Sequence, residues 1–270
     1  MKLTKVNYIE IVENIGAGGT ASVYKGVDTN TGHLVAVKVL WSNLSHNEVM
    51  QERFMQEANY YIYLNHPNIV KLVDFIQKED TSFLVMEYLE GYTLEHYINT
   101  YTGPIPEAQA IRIILPVIAG IQHAHACNVL HLDLKPSNII ITREGIIKLI
   151  DFGISKKLRE ANKGHIMGSP LYMSPEQTIV DSDIDTRSDI YSLGITLFQM
   201  VAGTTPLKAD MSRDQLFDKI RKGNLPPAKT FYPFVSDKIQ GIIDKATRIN
   251  KKDRFQKASE MYDALKNALP

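Results

Sequence analysis

Residues 131–153 read His131-Leu132-Asp133-Leu134-Lys135-Pro136-Ser137-Asn138-Ile139-Ile140-Ile141-Thr142-Arg143-Glu144-Gly145-Ile146-Ile147-Lys148-Leu149-Ile150-Asp151-Phe152-Gly153. Two isoleucine-rich runs, 139–141 and 146–150, flank the turn residues Glu144-Gly145, the pattern of a short hairpin. Asp133, Asn138 and Asp151 are polar residues embedded between apolar runs, and Lys135 brings a cation into the same loop. Half-buried carboxylates beside strands require a metal, a proton or a cation as partner. A set of loop-capping Asp and Asn residues is the plainer alternative, and this spacing disfavours it.

Upstream, residues 8–15, 22–27 and 33–40 predict three strands, with Asn30-Thr31-Gly32 as the turn before the third. Residues 46–64 lack Gly and Pro and carry Phe54, Ala58, Tyr61, Ile62 and Leu64 at helical spacing, so a helix is expected that Pro67 must end. Strands at 69–76 and 82–89 follow. After Gly91 the pattern turns helical, at 93–100, 106–127, 186–202, 212–222, 236–247 and 257–268. A β-rich first third and an α-rich remainder predict an α+β fold of two packed units that meet near 89–92 and hold a small-molecule cleft.

Two features of the first third carry chemistry in company with the loop. Gly16-Ala17-Gly18-Gly19-Thr20-Ala21 lies between the first two strands, where glycines let a backbone approach a phosphate. On its own it could be a hairpin turn. Lys38 sits inside the apolar run Val35-Ala36-Val37-Lys38-Val39, and Glu57 on the following helix offers it a carboxylate. For an isolated lysine, an edge-strand residue reaching solvent would be the better reading.

Composition excludes other classes. Of 270 residues, 44% are hydrophobic and 22% charged, which argues against disorder, collagen and coiled coil. The 30 Lys+Arg balance 30 Asp+Glu, so no net field draws the chain to nucleic acid or an anionic membrane, and a bound anion must be held locally. Cys127 is the only cysteine, which fits a reducing, cytoplasmic setting. The N-terminus is interrupted by Asn7, Glu10 and Glu13 before a signal-peptide core can form. The apolar run 111–121 contains Arg112 and is too short to span a bilayer, so no membrane segment is expected.

The order of Gly-rich loop, VAVK, helix Glu, HLDLKPSN, DFG and SPE over residues 16–176 resembles the eukaryotic-like (Hanks-type) serine/threonine protein kinases. Asp189-Ile190-Tyr191-Ser192-Leu193-Gly194 and Arg254 are similar to later landmarks of that family, so the resemblance covers essentially the whole chain. It implies a bilobal protein-kinase-like fold, with a small antiparallel β-sheet N-lobe (1–89) bearing one main helix and a larger, mostly helical C-lobe (90–270). It further implies ATP and Mg²⁺ as cofactors, with Mn²⁺ a substitute, and Ser/Thr hydroxyls of protein substrates as acceptors, the chain itself among them.

By the same resemblance Lys38, held by Glu57, would contact the α- and β-phosphates. Asp133 would accept the proton of the acceptor hydroxyl, Lys135 would stabilise the phosphoryl oxygens, and Asn138 and Asp151 would bind metal. Ile15, Gly16, Ala17, Gly18, Val23 and Ala36 would cover the nucleotide, with Ile140 beneath the adenine. The backbone of Glu87 and Leu89 would meet its edge, and Met86 would guard the back of the pocket. Tyr61, Leu72, His131 and Phe152 would form an apolar spine anchored near Asp189. Lys135, with Ser169 in Gly168-Ser169-Pro170-Leu171-Tyr172-Met173-Ser174-Pro175-Glu176, resembles the Ser/Thr rather than the Tyr branch. Glu176 would pair with Arg254.

The sequence departs from the family at two places. Ala21 replaces the third glycine of the phosphate loop. Leu132 replaces the Arg that in most regulated members pairs with a phosphorylated activation segment, and residues 154–167 offer one hydroxyl, Ser155. The chain is therefore expected to be a non-RD kinase whose activity does not require phosphorylation there. Positioning of the helix bearing Glu57 and homodimerisation through the β-rich lobe are both left open as regulation. The motifs SPEQ and RSDIYSLG resemble bacterial members, many of which continue into a linker and membrane segment, so this chain is expected to be the catalytic piece of a longer protein.

Overall fold

A computed structural model describes residues 3–17, 21–40, 48–78, 81–152, 156–157 and 168–269. Gly18 and Gly19 of the phosphate-loop motif, residues 153–155 with Gly153 and Ser155, and residues 158–167 lie outside the described residues. The chain divides into two compact units, Met1–Glu90 and Gly91–Pro270.

The first unit is a six-stranded antiparallel sheet with one helix. Its elements are β1 (Lys5–Val6), β2 (Ile9–Ala17), β3 (Ala21–Asp28), β4 (Leu34–Leu40), α1 (Glu48–Tyr63), β5 (Leu72–Lys78) and β6 (Thr81–Glu87), in the spatial order β1-β2-β3-β4-β6-β5. The turn between β3 and β4 forms because the Asp28 side chain accepts from Asn30 N–H at 2.8 Å while Gly32, at φ 74°, supplies the left-handed residue. Alternation along β4 separates the two faces. Val35, Val37 and Val39 pack with Ile9, Phe83 and Val85 in one core cluster. Leu40 and Leu84 pack with Phe54 and Ala58 of α1 in the other.

The second unit opens with β7 (Gly91–Thr93), α2 (Leu94–His96) and a π-type turn over Tyr97–Thr102, then α3 (Glu107–Ala126). Gly91 is required where it stands, since a Cβ there would lie 2.2 Å from the Ile141 carbonyl oxygen. The hairpin expected after the quoted loop is present as β9 (Ile139–Thr142) and β10 (Ile147–Leu149), and β7 completes this three-stranded sheet. Short strands β8 (Val129–Leu130) and β11 (Lys156–Lys157) pair before and after it. Helices α4 (Thr186–Ala202), α5 (Arg213–Lys222), α6 (Asp237–Ala246) and α7 (Ala258–Lys266) follow. All of α4 from Ser188 to Ala202 is buried, with α6 packed against it, and α3 packs on α7. Among the described residues no helix is long and apolar enough to cross a membrane.

Candidate active site

In the first unit, sheet register gathers the residues of the proposed nucleotide face. Gly16 pairs with Val23, Val23 with Lys38, and Ala36 with Met86, so Val23 and Lys38 fall in one cross-strand row while Ala36 and Met86 fill the next on the same face. Ile15 lies at a register shift in β2 and is 43% exposed. Ala17 pairs with Ser22 at the open end of the β2–β3 ladder. Because α1 packs on the face that carries Lys38, Glu57 reaches it: Lys38 Nζ lies 2.7 Å from Glu57 Oε1 and 2.9 Å from Oε2. Tyr61 is buried one turn further along α1, and Leu72 is half-buried beside Phe54 and Leu84.

Met86 is buried at the end of β6, whereas Leu89 is half-buried beyond it. The Glu87 N–H donates to the Lys71 carbonyl at 3.0 Å, and its carboxylate accepts from the Lys71 N–H at 2.8 Å. Any recognition of a ligand by the Glu87 backbone must therefore use its carbonyl. That double link to Lys71 has no signature in the sequence, because it depends on how the segment before β5 returns along β6.

In the second unit the loop from His131 to Asn138 is held by a buried carboxylate. Asp189, wholly buried in the first turn of α4, accepts from His131 N–H at 3.0 Å, Leu132 N–H at 2.8 Å and the His125 ring at 2.8 Å. Burial alone would push the Asp189 carboxyl up, but hydrogen bonds from the His125 ring and the His131 N–H more than offset it, so it lies below the ordinary carboxylate range. Leu132 takes φ 65°, a left-handed conformation costly for leucine, and its carbonyl accepts from Gln177 at 2.9 Å. His125 and Gln177 were not singled out by the sequence. The signals available were a histidine near the end of the apolar α3 and the place of Gln177 in the SPEQ motif.

The Asp133 carboxylate has neighbours on several sides. Oδ1 accepts from Ser169 N–H at 2.8 Å, while Oδ2 lies 2.8 Å from Lys135 Nζ and 3.3 Å from the Asn138 amide nitrogen. Lys135 Nζ also donates to Ser169 Oγ at 2.6 Å. The Asn138 amide nitrogen donates to the Asp133 carbonyl at 2.9 Å, which leaves the amide oxygen as the acceptor end of a buried side chain. Ile140, on β9 two residues beyond, is half-buried and pairs with Thr93 of β7.

Asp151 also adopts a left-handed backbone, φ 65°, after Ile150 N–H bonds to the Asn138 carbonyl at 2.9 Å. This backbone tie joins the Asn138 and Asp151 segments. An amide oxygen and a carboxylate are hard oxygen donors of the kind Mg²⁺ and other small divalent ions take, so this pair fits such an ion. Phe152 is fully buried against His131, ring centroids 4.6 Å apart. Burial holds His131 below its ordinary pKa despite the pull of Asp189, Asp133 and Asp151, so the ring is neutral.

Beside this loop, Arg254 and Glu176 form a buried bidentate pair at 2.7 and 2.8 Å. Ser188 donates to the same carboxylate at 2.6 Å, and Arg254 also donates to the Arg248, Arg187 and Ile249 carbonyls. Burial pushes the Glu176 carboxyl up, but Arg254 and Ser188 hold it below the usual carboxylate range. The pair anchors the segment that carries Ser169 to the helices beneath it.

A family model described as protein kinase domain matches residues 9–265. The chain is 37% identical over 255 residues to a probable serine/threonine-protein kinase PknB of Lactococcus lactis, covering 93% of this chain and 40% of the relative. It is 36% identical over 263 residues to the serine/threonine-protein kinase PrkC of Bacillus subtilis, covering 96% and 40%. It is 33% identical over 260 residues to the serine/threonine-protein kinase PknB of Mycobacterium leprae, covering 93% and 41%. The chain thus spans about two fifths of the length of these relatives. With that match running through both halves of the geometry above, from Gly16 to Arg254, the chain belongs to the protein kinase family.

Proposed function

We infer that the chain transfers the γ-phosphoryl group of ATP, with Mg²⁺ or in its place Mn²⁺, to Ser/Thr hydroxyls of proteins, itself included. The observation that carries this reading is the Asp133 carboxylate, oriented by Ser169 N–H and the Asn138 amide and set beside Lys135. Asp133 accepts the acceptor hydroxyl proton as the new O–P bond forms and the bond from the γ-phosphorus to the ADP bridging oxygen breaks. Lys135 balances charge on the phosphoryl oxygens, and Ser169 fixes its ammonium. Lys38, oriented by Glu57, takes the α- and β-phosphates. Gly16, Val23, Ala36 and Ile140 serve the nucleotide, with the Glu87 carbonyl and the Leu89 N–H reading the adenine edge.

Asn138 and Asp151 are the residues that would hold the metal, whose charge offsets that of the phosphates. Leu132 cannot reach a phosphate with a cation, so transfer does not wait on phosphorylation within 154–167. Dephosphorylated chain that stays active supports this, and activity restored only by a phosphate in that segment overturns it. The single cysteine suits a cytoplasmic setting.

The test is transfer of labelled γ-phosphate to generic Ser/Thr proteins with Mg²⁺, beside Asp133→Asn and Lys38→Ala. Loss on the order of 10²–10⁴-fold for Asp133→Asn is expected, the scale of general-base catalysis. A folded, ATP-binding chain with no transfer under either metal would instead be a nucleotide-binding scaffold.

A further inference from the structure

Within the second unit, β7, the π-type turn, α3 and the β9–β10 hairpin line a cavity of about 230 Å³ that the phosphotransfer reading does not use. One wall is aromatic: Tyr92 and Tyr97 stack with centroids 5.6 Å apart and planes 12° from parallel, and Tyr101 leans on both. The floor is apolar, formed by Ile113, Ile141 and Ile147. The opposite wall carries Arg112, which is exposed and in no ion pair among the described residues. The Tyr97 hydroxyl accepts from Gln109 at 2.7 Å, so its own proton is directed elsewhere as a second donor. Tyr101, 60% exposed, and Ile146, 48% exposed at the hairpin turn, extend the apolar surface.

Rigid tyrosines beside an uncompensated arginine are the residues that dominate binding hot spots. Tyr97 and Tyr101 are presented by a π-type turn, a geometry frequent at functional sites, while Tyr92 comes from β7 and Arg112 from α3. The cavity is smaller than the 300–1,000 Å³ typical of sites for drug-sized ligands. It suits one side chain of a partner, and its two outward donors suit an anion next to that side chain.

We propose that this groove docks a linear acidic peptide segment, seating one Leu-like or Phe-like side chain on the isoleucine floor with a neighbouring Asp or Glu carboxylate on Arg112 and the Tyr97 hydroxyl. Charge complementarity selects this occupant: the wall offers a cation and a donor with no carboxylate facing them in the cavity lining. If the chain is the kinase inferred above, such a segment in a protein substrate tethers it away from the acceptor hydroxyl.

The experiment titrates the intact chain against a fluorescein-labelled peptide with one Leu flanked by two Glu, and against the same peptide with Lys for Glu, by fluorescence anisotropy. The Glu peptide binds. Arg112→Glu weakens it at least tenfold and Tyr97→Phe, which keeps the aromatic wall, about threefold, with circular dichroism unchanged. Equal binding of the Lys peptide, or indifference to Arg112→Glu, overturns the proposal. So does Arg112-dependent self-association in sedimentation without peptide binding, which would assign the face to a second copy. A phosphorylation arm then separates this from the activity: Arg112→Glu raises KM for a protein carrying the segment without changing kcat, and leaves a short acceptor peptide unaffected. Binding without any transfer leaves the docking site standing and removes the kinase reading alone.

Discussion

Lys38 and Glu57 form a pair whose two members have unequal environments: the lysine side chain is 13% exposed and the glutamate 3%. Lys38→Met therefore strips the cation from a buried carboxylate, a change that costs about 3–5 kcal/mol when one partner of a buried pair is removed. Lys38→Met with Glu57→Gln should recover most of that in urea denaturation while transfer stays absent, which separates the lysine's structural role from its chemical one. Ser169 poses the matching question for Lys135. Ser169→Ala removes the hydroxyl that receives the ammonium at 2.6 Å but keeps the N–H on Asp133, and should lower kcat about tenfold, the scale of a hydrogen bond to a charged group. Ser169→Thr keeps the hydroxyl and should stay near wild type. If alanine leaves kcat unchanged, Ser169 does not set the lysine. Lys38 and Lys135 stood out in the sequence as cations beside apolar residues, whereas Ser169 was picked out by the family resemblance. The Asp189 contacts to His131, Leu132 and His125 were only partly so, because they join positions 57–64 residues apart.

At the scale of elements, the periodic segments were readable and the short ones were not. The expected helix at 46–64 is α1 over 48–63, and those at 106–127 and 186–202 are α3 and α4 within two residues at each end. Strand signals at 69–76 and 82–89 are displaced, because Ile69 and Val70 are buried before β5 begins and Tyr88 and Leu89 follow β6. The apolar pattern reports burial as well as pairing. The helix at 93–100 proves to be one short turn of α-helix running into a π-type turn, a local widening that a 3.6-residue period does not encode. The small strands β7, β8 and β11 exist through pairing partners far along the chain, and β1 is two residues folded back on β2. Gly194 shows how tight the readable helices are. A Cβ there would meet Ala246 Cβ and Thr247 Cγ2, each at 2.8 Å, so α4 and α6 approach only because this residue is glycine. Gly194→Ala should destabilise the fold by about 1–3 kcal/mol through overpacking, read as a lowered urea midpoint with unchanged slope. A midpoint equal to wild type would mean that α6 can move away at no cost.

Over the whole molecule, titratable groups shifted by burial and by their partners bound the pH range of stability at both ends. Burial holds His131 below its ordinary value, so the unfolded chain takes up a proton near pH 6.5 that the folded chain refuses. Stability from this residue is present above pH 6.5 and declines as pH falls below it, by at most about 1.4 kcal/mol per pH unit for one proton. Glu176, Asp185 and Asp189 are all depressed in the folded state: each is pushed up by burial but held down more strongly, by Arg254, by Arg187 with Lys251, and by His125 respectively. Their contribution is complete above about pH 4.5 and is lost as pH falls through their folded values. At the alkaline end Tyr8, raised to about 12 by burial and by donating to Asp74, keeps its proton where the unfolded side chain releases one near pH 10, so stability falls again above that point. Urea midpoints measured from pH 3 to 11 should therefore form a plateau between about pH 7 and 10, with a shallow decline below 6.5 and a steep one below 4.5. His131→Phe, which keeps an apolar ring against Phe152, should erase the shallow limb and leave the steep one. Arg254→Met should lower the plateau and flatten the steep limb, since Glu176 would no longer be held ionised. A midpoint that rises between pH 6.5 and 5 in the wild-type chain would show that His131 is charged in the folded state and that burial does not keep it neutral.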